Sequence, residues 1–504
     1  MQPSPSPRNE NEKAKTVSFM KKRIRHQIGY GPCWFKARSA AFALLLLATP
    51  TLHADVITEW NDVAIPLFRS APRIIATRQF AIMHVAQFEA VNAVAAKYTP
   101  YVVNLAAPGA SPEAAAAQAA HDILVRYYPT NETALDAALA TSLMVVPDGT
   151  AKNDGVTLGG AVATQIWNLR VSDGGSLTVS NAFPGGPGLW SPTPGGAATP
   201  VLQQYAYLTP WALRSASQFR PGPPPALTSA QWAADFNEIK SLGATNSGAR
   251  TPEQTDIGLF IIEFPFFILN SAAKQALAAK PMSLVDSARV FALMHIAADD
   301  AFCAVFDCKY AYNFWRPVTA IRAADTDGND TTVPDVDWLP LRPTPSHPEY
   351  PCAHCAVSKS MMTALAAVFG DDFTFTLESP TLPGKRRTFR KFSDYPQLSL
   401  EGRLYAGFHY RNSSNVGLEL GRQVGSYVVN NCLTPGPTLG GQLQAGEFRL
   451  SAKNRGNLQQ RIEVSNDLVT WSTLTGYTST DLTVQILDPN AASADHKFYR
   501  AVAP

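Results

Sequence analysis

The sequence predicts a mainly α-helical bundle followed by a small all-β domain. Apolar residues recur at steps of three and four over long stretches, as from Ala81 through Val85 and Phe88 to Val91, which gives one apolar helical face. After the Pro-Gly-Pro of residues 435–437, short Thr- and Val-rich segments of alternating polarity replace this pattern. Such alternation is typical of strands. The fold class therefore follows from a change of hydrophobic period along the chain.

Helical segments are predicted over residues 72–170, from residue 229, and over 283–310, 354–369 and 398–430. Two long loops separate them. The first, residues 173–225, is rich in Gly and Pro and carries four large aromatic residues: Trp190, Tyr205, Tyr207 and Trp211. It is predicted to be an ordered loop packed on the core. The second, residues 326–351, is rich in Pro and Asp.

The N-terminal 54 residues have the features of an export segment. A basic stretch precedes an apolar run, residues 40–48, and the small residue Ala54 stands at the position of a cleavage site. The apolar run is too short to span a bilayer. The sequence therefore predicts export to the periplasm or the extracellular space. A disordered N-terminus with one short buried helix is the alternative.

The predicted domains are a signal peptide with its n-region over residues 1–54, a helical domain over 55–435 and a β accessory domain over 440–504. Within the last, strands are predicted at residues 461–464, 482–487 and 497–502. This β domain contains no clustered catalytic residues. Attachment, sorting or binding of a partner are its candidate roles.

The charge balance excludes broad electrostatic partners. Lys and Arg number 42 against 40 Asp and Glu, for a net charge of +2. A chain this close to neutral gives no support to nucleic-acid binding or to general adhesion to anionic lipid. No segment after residue 54 approaches the length of a transmembrane helix. The sequence is also compatible with a homo-oligomer. Any positive charge that matters for function must be local.

A first cationic motif is Lys-x6-Arg-Pro, from Lys309 to Arg316 and Pro317. Seven residues make about two helical turns, so the two cations lie on one face and repel each other unless an anion sits between them. Pro317 places Arg316 near the end of the helix. A solvated basic face is the alternative explanation.

A second motif leads from a proline-punctuated loop into an apolar helix that begins near His354. A helix N-terminus exposes free backbone N–H groups and a partial positive charge, which together favour an anion. Ala353 is small enough to let an anion approach the backbone, and a histidine at this place can transfer protons near neutral pH. A histidine that only caps the helix is the alternative.

A third motif joins Arg403 to His409. A six-residue step need not place both side chains on one helical stripe. A bend or a helix end at Gly407 would bring them together. Taken alone, the histidine could equally be a packed core residue.

Together and in this order, the three motifs resemble the signature shared by vanadium-dependent haloperoxidases and the related acid and lipid phosphatases. That signature reads Lys-x6-Arg-Pro, then Pro-Ser-Gly-His, then Ser-Arg-x5-His. Flanking residues, including Trp315 and the His-Pro-Glu-Tyr run from His347, also resemble bacterial haloperoxidase-like proteins. The resemblance covers roughly residues 58–432 and implies a helical-bundle core of the haloperoxidase and acid phosphatase type.

The resemblance implies a role for each motif residue. Lys309, Arg316 and Arg403 would hold the oxygens of vanadate, because guanidinium groups match oxyanion geometry. His409 would bond the vanadium, and His354 would act as acid and base.

The implied oxyanion site also includes the side chain of Cys352 and the backbone at Ala353. Phosphate is expected to fit the same place. Vanadium would act as a Lewis acid of constant oxidation state.

The activity implied by the resemblance is oxidation of halide by hydrogen peroxide to hypohalous acid, with an organic acceptor as a further partner. The same residues serve a phosphatase, in which His409 is the nucleophile and His354 protonates the leaving group. A secreted acid phosphatase is therefore the first alternative. A non-catalytic secreted oxyanion-binding protein is the second.

The sequence departs from the family signature at three positions. Cys352 replaces the serine, Ala353 the glycine, and Gly402 the serine before the last arginine. A thiol donates a weaker hydrogen bond than a hydroxyl. Cys352 is nevertheless expected to face the anion.

Cys352 and Cys355 also form a C-x-x-C pair at a helix start, where nearby cations lower the pKa of a thiol. A protective or structural disulfide between them is predicted, with a thiol–disulfide redox role as the alternative. Removal of Cys33 with the signal would leave five of the six cysteines.

Three further residues complete the candidate site. In the family, a histidine at the position of His347 is typical of bromide-type enzymes, so bromide or iodide is the expected halide. Trp315 and Asp300 are expected to lie behind the pocket, where Asp300 or the neighbouring Asp299 would orient an arginine. A solvated acidic face is the alternative for the two aspartates.

Overall fold

The fold is that of a computed structural model, which describes residues 55–70, 75–103, 105–181, 183–435, 439–444, 447–453, 460–477, 483–489 and 497–502. The predicted export segment, residues 1–54, lies outside the described residues. Within them, no single helix is long and apolar enough to cross a membrane, although one bent pair, Pro252–Phe260 with Pro265–Ala279, meets the length and composition criteria together.

The helices follow one another in two groups separated by the long glycine- and proline-rich loop. The first group is α1 (Val56–Ser70), α2 (Ala76–Ala95), α3 (Pro112–Tyr127), α4 (Glu132–Met144) and α5 (Thr150–Arg170). The second group is α6 (Ala230–Leu242), α7 (Pro252–Phe260), α8 (Pro265–Ile268), α9 (Asn270–Ala279), α10 (Leu284–Tyr312), α11 (Pro317–Arg322), α12 (Ala353–Phe369), α13 (Asp394–Tyr405) and α14 (Arg411–Asn431). The predicted mainly helical class is confirmed.

Strands are found in a hairpin and at the C-terminal end. The hairpin, β1 (Phe375–Glu378) with β2 (Arg386–Phe389), was not predicted. The C-terminal strands are β3 (Leu439–Gln444), β4 (Glu447–Lys453), β5 (Gln460–Ser465), β6 (Ser472–Tyr477), β7 (Thr483–Asp488) and β8 (Phe498–Val502). They form two antiparallel three-stranded sheets, in the orders β3-β4-β7 and β6-β5-β8. The three strands predicted from alternation coincide with β5, β7 and β8.

Helix α10 is the centre of the helical domain, and it packs against α2, α12 and α14. It is buried over most of its length, from Val285 to Lys309. Its sequence alternates small residues, mostly Ala, with large apolar ones, so neighbouring helices can approach it from several sides. Because α10 carries Lys309 at its last turn, this central buried helix also positions the first cation of the predicted site.

Three glycines on α14 set its distance from α12. A Cβ on Gly417 would lie 2.5 Å from Cys352 O, one on Gly421 would lie 2.1 Å from Ala356 O, and one on Gly425 would lie 2.7 Å from Ser360 O. No larger residue fits at this four-residue spacing, so the two helices pack backbone against backbone. This seam fixes the start of α12, where the second motif lies.

The first long loop is ordered, as predicted. Trp190, Tyr205 and Trp211 are buried in it, while Tyr207 is exposed. Its contacts with the core explain the burial: Trp190 N–H donates to Asn313 O, and Tyr205 packs edge-on to Phe302 of α10. The loop is therefore part of the fold around the site.

Candidate active site

A cavity of about 310 Å³ opens between α10, α12, α13 and the loops beside them. Of the predicted site residues, those that line it are His347, Ala353, His354, Arg403 and His409. The other predicted anion ligands, Lys309, Arg316 and Cys352, are buried next to this lining. The three motifs together span about a hundred residues of sequence, from Lys309 to His409, and they converge on one cavity.

The turn at Gly407, between α13 and α14, brings the two residues of the third motif together. Helix α13 ends just after Arg403, and α14 begins at Arg411. Gly407 has a φ of 78°, and a Cβ there would lie 2.6 Å from Gly243 O. Only glycine tolerates both conditions. The predicted helix end at Gly407 is therefore confirmed, and it turns His409 back toward Arg403.

Arg403 presents a guanidinium without a partner. The side chain is only 2% exposed, and no carboxylate pairs with it in the described part of the chain. Its Nε lacks a hydrogen bond, and its Cζ lies 4.5 Å from the centroid of the Phe408 ring. Burial without an acceptor leaves several N–H donors unsatisfied, which is costly unless a ligand supplies oxygens.

His409 is oriented by a buried glutamate. Its Nδ1 lies 2.8 Å from Glu349 Oε1, which also accepts the Tyr410 backbone N–H at 3.2 Å. Because Oε1 accepts, Nδ1 carries the proton and Nε2 is left with a lone pair. Burial raises the pKa of Glu349 to about 8, even though Lys309 and Arg316 act in the opposite direction. The arrangement fixes both the tautomer and the direction of the ring.

His354 stands at the start of α12, with its ring stacked on Phe264 at a centroid distance of 5.5 Å. Its Nε2 is buried and makes no hydrogen bond to any described residue. Ala353, the first residue of the helix, lines the cavity beside it. The first N–H groups of a helix have no partner within the helix, so this corner combines free donors with a free histidine nitrogen.

Arg316 forms the base of the site and ties the second and third motifs together. Its Nε donates to His347 O at 2.8 Å, and its Nη1 donates to Phe408 O at 3.0 Å. The same Nη1 lies 3.3 Å from His409 Nε2, as expected if this nitrogen is an acceptor. Burial and Arg403 lower the pKa of Arg316 to about 10, although Glu349 raises it.

Lys309 is bound entirely by the backbone of the second motif. Its Nζ donates to the carbonyl oxygens of Pro348 at 2.9 Å, Glu349 at 2.7 Å and Pro351 at 2.7 Å. An ammonium group has three donors, so all are engaged. Lys309 therefore contributes positive charge to the site and holds the loop that carries Glu349.

The charge around the cavity is unbalanced. Three buried cations, Lys309, Arg316 and Arg403, have the buried carboxyl group of Glu349 and the Cys352 thiol near them. No salt bridge involves any of the three within the described ranges. Burial together with these cations lowers the pKa of His409 well below its ordinary value, so the ring is neutral. The site therefore has an excess of buried positive charge, which favours an anion.

Cys352 caps α12 instead of facing the cavity. Its Sγ accepts the Cys355 N–H at 3.3 Å. Burial alone would raise the pKa of this thiol, but hydrogen bonding from Cys355 and the charges of Arg403 and Lys309 lower it to about 6. Cys352 and Cys355 are both free thiols, so the predicted disulfide was wrong. Cys352 is the N-cap of α12 and Cys355 is the third residue of the helix, so the hydrogen bond from the Cys355 backbone N–H links the two.

His347 lines the cavity and contacts the cations. Arg316 Nη2 lies 3.0 Å from His347 Nδ1, and the His347 ring meets Phe306 edge-on at 5.2 Å. Burial and the charges of Arg316 and Lys309 lower the pKa of His347 well below its ordinary value. His347 therefore places a neutral imidazole in the wall of the cavity.

The supporting roles predicted for Asp300 and Trp315 were wrong. Asp300 accepts the backbone N–H groups of Trp211, Ala212 and Leu213 at 2.6–3.0 Å, so it anchors the first long loop and not an arginine of the site. Trp315 stacks on Trp232 at 5.7 Å in a separate apolar cluster and does not line the cavity. Asp300 lies about two and a half helical turns before Lys309 on α10, too far to reach the cations of the site.

One departure from the family signature, glycine at 402 in place of serine, has a local explanation. A Cβ on Gly402 would lie 2.7 Å from the Ile261 side chain, so no serine fits there.

Sequence reasoning assigned no role to Glu349. Its signal was a single carboxylate in a proline-rich segment, where burial is costly unless the group is engaged.

Comparison with known proteins agrees with this geometry. Residues 289–434 match the family model for the VCPO second helical-bundle domain. Among solved structures, the first bacterial vanadium-dependent iodoperoxidase is similar, with 25% identity, a TM-score of 0.63, and 74% of this chain and 94% of that chain covered. No curated protein matches the sequence.

Two structures of bacterial vanadium-dependent chloroperoxidase share the fold at 18% identity. The apo-type structure has a TM-score of 0.54 and covers 70% of this chain and 92% of its own. The holo-type structure has a TM-score of 0.56 and covers 75% and 93%. The resemblance predicted from the motifs is therefore confirmed: this chain has the fold of the vanadium-dependent haloperoxidases, and its residues 289–434 match their second helical-bundle domain.

Proposed function

We propose that this protein is a vanadate-dependent haloperoxidase that oxidises iodide or bromide with hydrogen peroxide to hypohalous acid. The observation that carries the proposal is the buried, unpartnered guanidinium of Arg403 in a cavity that also contains His409 Nε2. A buried cation in this state favours a bound anion, and the lone pair of a neutral histidine can bind a Lewis acid. Vanadate supplies both.

The residues of the site fit vanadate. Arg403 and the first N–H groups of α12 would donate to its oxygens, and His409 Nε2 would bond the vanadium. Lys309 and Arg316 would neutralise its charge from behind the lining, since their donors are largely engaged by carbonyl groups. When bound, vanadate supplies Lewis acidity that activates hydrogen peroxide.

Two histidines divide the proton chemistry. Glu349 holds the Nδ1 proton of His409, so His409 Nε2 stays aimed at the site. His354 keeps an unpartnered Nε2 in the same cavity, and burial and Arg403 lower its pKa well below the ordinary value. A neutral His354 can therefore accept a proton when peroxide enters and return it when water leaves.

The preference for iodide or bromide rests on the cavity wall. Phe302, Phe306 and Phe408 make much of the lining apolar, and His347 adds a neutral imidazole. Halides that are weakly hydrated lose less on leaving water for such a wall. The similarity to an iodoperoxidase supports the same order.

The test is an assay of the purified protein with and without vanadate, using peroxide with iodide or bromide and, separately, a chromogenic phosphate ester. Vanadate-dependent formation of triiodide or of brominated product, lost in Arg403→Gln, is expected. Ester hydrolysis that vanadate blocks, without halide oxidation, would establish the acid phosphatase instead. Oxyanion binding with neither activity would establish a binding protein.

Glu349→Gln tests the orientation of His409. Loss of the carboxylate should weaken vanadate binding by about tenfold or more, the usual scale for a group that orients a metal-binding histidine. The affinity is measured by calorimetry on the vanadate-free protein. The matched control is Glu263→Gln: Glu263 also lines the cavity but pairs with Arg69 and has no contact with His409, so vanadate affinity should be unchanged or higher. Equal losses in both variants would contradict the proposed role.

The proposal includes export, which the basic stretch and the apolar run before Ala54 support. Export also suits the chemistry, since hypohalous acid is formed away from cytoplasmic thiols. N-terminal sequencing of secreted protein should give a start near residue 55. A start at Met1 or Met20 would contradict it.

A further inference from the structure

The cavity is larger than the proposed halide chemistry requires. Its volume is about 310 Å³, whereas a cavity of about 150 Å³ lined by similar residues already holds a benzene ring. Vanadate, a halide and a peroxide are each only a few atoms in size. The remaining space therefore has room for an organic molecule of roughly one ring with a substituent.

The surfaces around that space are suited to an aromatic ring. Phe264, Phe302, Phe306 and Phe408 contribute rings, and Leu202 closes one wall. Leu202 has a φ of 66°, a conformation that leucine rarely adopts, and it is buried against the cavity. Aromatic faces and edges stabilise another ring through packing and quadrupole contacts.

A free cation stands at the same cavity. Arg342 lines it and is exposed, and it makes no hydrogen bond or ion pair with any part of the chain that the structure describes. The acidic residue of the lining, Glu263, is already paired with Arg69. A guanidinium in this position matches a carboxylate in geometry and charge.

We infer that the cavity binds a small aromatic carboxylate with an electron-rich ring, and that this molecule is halogenated while bound, an inference that rests on the proposed function. Arg342 would receive the carboxylate at the exposed end, and the phenylalanine rings would hold the ring near His354 and His409. The acceptor is then a substrate of the protein and not only a scavenger of released oxidant.

The step balances with the reactants of the proposed activity. Iodide, peroxide and one proton give hypoiodous acid and water, so iodide loses two electrons and the peroxide oxygens gain them. The ring carbon then forms a bond to iodine, its hydrogen leaves as a proton, and the hydroxide of hypoiodous acid takes that proton to form a second water. No further oxidant or reductant is needed.

The test compares 4-hydroxybenzoate with 4-hydroxybenzamide, which has the same ring without the charge. Binding is measured by calorimetry on the vanadate-loaded protein, and iodinated products are measured in competition between the two probes. Arg342→Gln should weaken 4-hydroxybenzoate binding by about tenfold, the scale of one charge-assisted contact, and leave the amide unaffected. Leu202→Trp should abolish binding of both by filling the space.

Triiodide formation without an acceptor reports the proposed function separately. It should be unchanged in Arg342→Gln, whose exposed side chain has no structural contact to lose. If wild-type protein forms triiodide but binds both probes equally, or iodinates them in the ratio given by free hypoiodous acid, the inference is overturned and the function stands. If wild-type protein forms no triiodide under any vanadate concentration, both fall.

Discussion

Two groups of cations inside the helical domain are compensated in opposite ways. In the paired cluster, the partly exposed Arg78 donates to Asp173 at 2.9 Å, and the buried Arg170 forms an ion pair with the same carboxylate at 2.9 Å. In the open cluster, Lys309, Arg316 and Arg403 have no ion pair in the ranges described. Arg170 is as buried as Arg403, at 2% exposure each, so burial alone does not distinguish the two clusters.

The pKa values of the arginines show the difference. Burial lowers the pKa of Arg78, but Tyr127 and Asp173 raise it further, so the net shift is upward. In the open cluster burial dominates, and the pKa of Arg403 lies below its ordinary value. The paired cluster is complete without a ligand, whereas the open cluster is destabilised until an anion arrives. The unfavourable free energy of burying these cations without an ion-pair partner therefore marks the proposed binding site.

The largest effect is expected from breaking the paired cluster. Asp173→Asn leaves the buried guanidinium of Arg170 and the partly exposed one of Arg78 without their carboxylate, which should lower the free energy of unfolding by about 3 kcal/mol. Denaturant unfolding of vanadate-free protein measures it. Glu419→Gln, which breaks the exposed Arg422 pair, is the matched control and should cost less than about 1 kcal/mol. Similar losses in both would remove the distinction between the clusters.

The open cluster should respond in the reverse sense. Arg403→Gln removes an uncompensated cation, so the ligand-free protein should be as stable as wild type or more stable. Vanadate at about a hundred times its dissociation constant should stabilise wild type by about 2.7 kcal/mol. The variant should lose most of this, because one charge-assisted contact is worth about 1.5–3 kcal/mol. Thermal unfolding with vanadate, against chloride at equal ionic strength, is the measurement. Destabilisation of the ligand-free variant would contradict the comparison.

The pH dependence of stability tests a third buried polar group, the histidine pair His84 and His295, which belongs to neither cluster. His84 stacks on His295 at 4.9 Å, and burial lowers the pKa of His84 to about 3, although its hydrogen bond with Gln87 raises it. Below about pH 6.5 the unfolded chain takes up a proton that the folded chain excludes, so stability falls as pH drops toward 3. Each such histidine contributes about 1.4 kcal/mol per pH unit.

His84→Gln should reduce this acid slope by the share of one histidine and leave the stabilisation by vanadate intact. The stability of wild type and variant is compared between pH 7 and the lowest pH at which both remain soluble. A variant with an unchanged slope would show that His84 is not excluded from protonation in the folded state.

The smallest effect is expected at Cys352. A thiol of pKa about 6 is mostly ionised at neutral pH and partly offsets the charges of Arg403 and Lys309. Cys352→Ser keeps a capping oxygen but removes that negative charge, so vanadate should bind more tightly by about 1 kcal/mol. The variant should also survive longer in peroxide, because an oxidisable thiolate is gone. Unchanged affinity and half-life would mean that the thiol is neutral and shielded.

The helical half of the fold was predictable because its signals are local. The apolar periodicity placed α10 and α12 to within a few residues, and Gly407 marked the break between α13 and α14. The β1–β2 hairpin was missed for a different reason. Each of its strands has only four residues, which is too short for an alternating pattern to be recognised.

For the site, the sequence by itself determined that the three motifs meet, and in what order they run. The tertiary structure decided what each of them does. The Lys309 ammonium donates hydrogen bonds to carbonyl groups about 40 residues later in the sequence. Asp300 accepts hydrogen bonds from a loop almost 90 residues earlier. Glu349, to which the sequence assigned no role, orients His409. Hydrogen-bond partners depend on which distant backbone lies within 3 Å, and helical period and motif spacing contain no information about that distance.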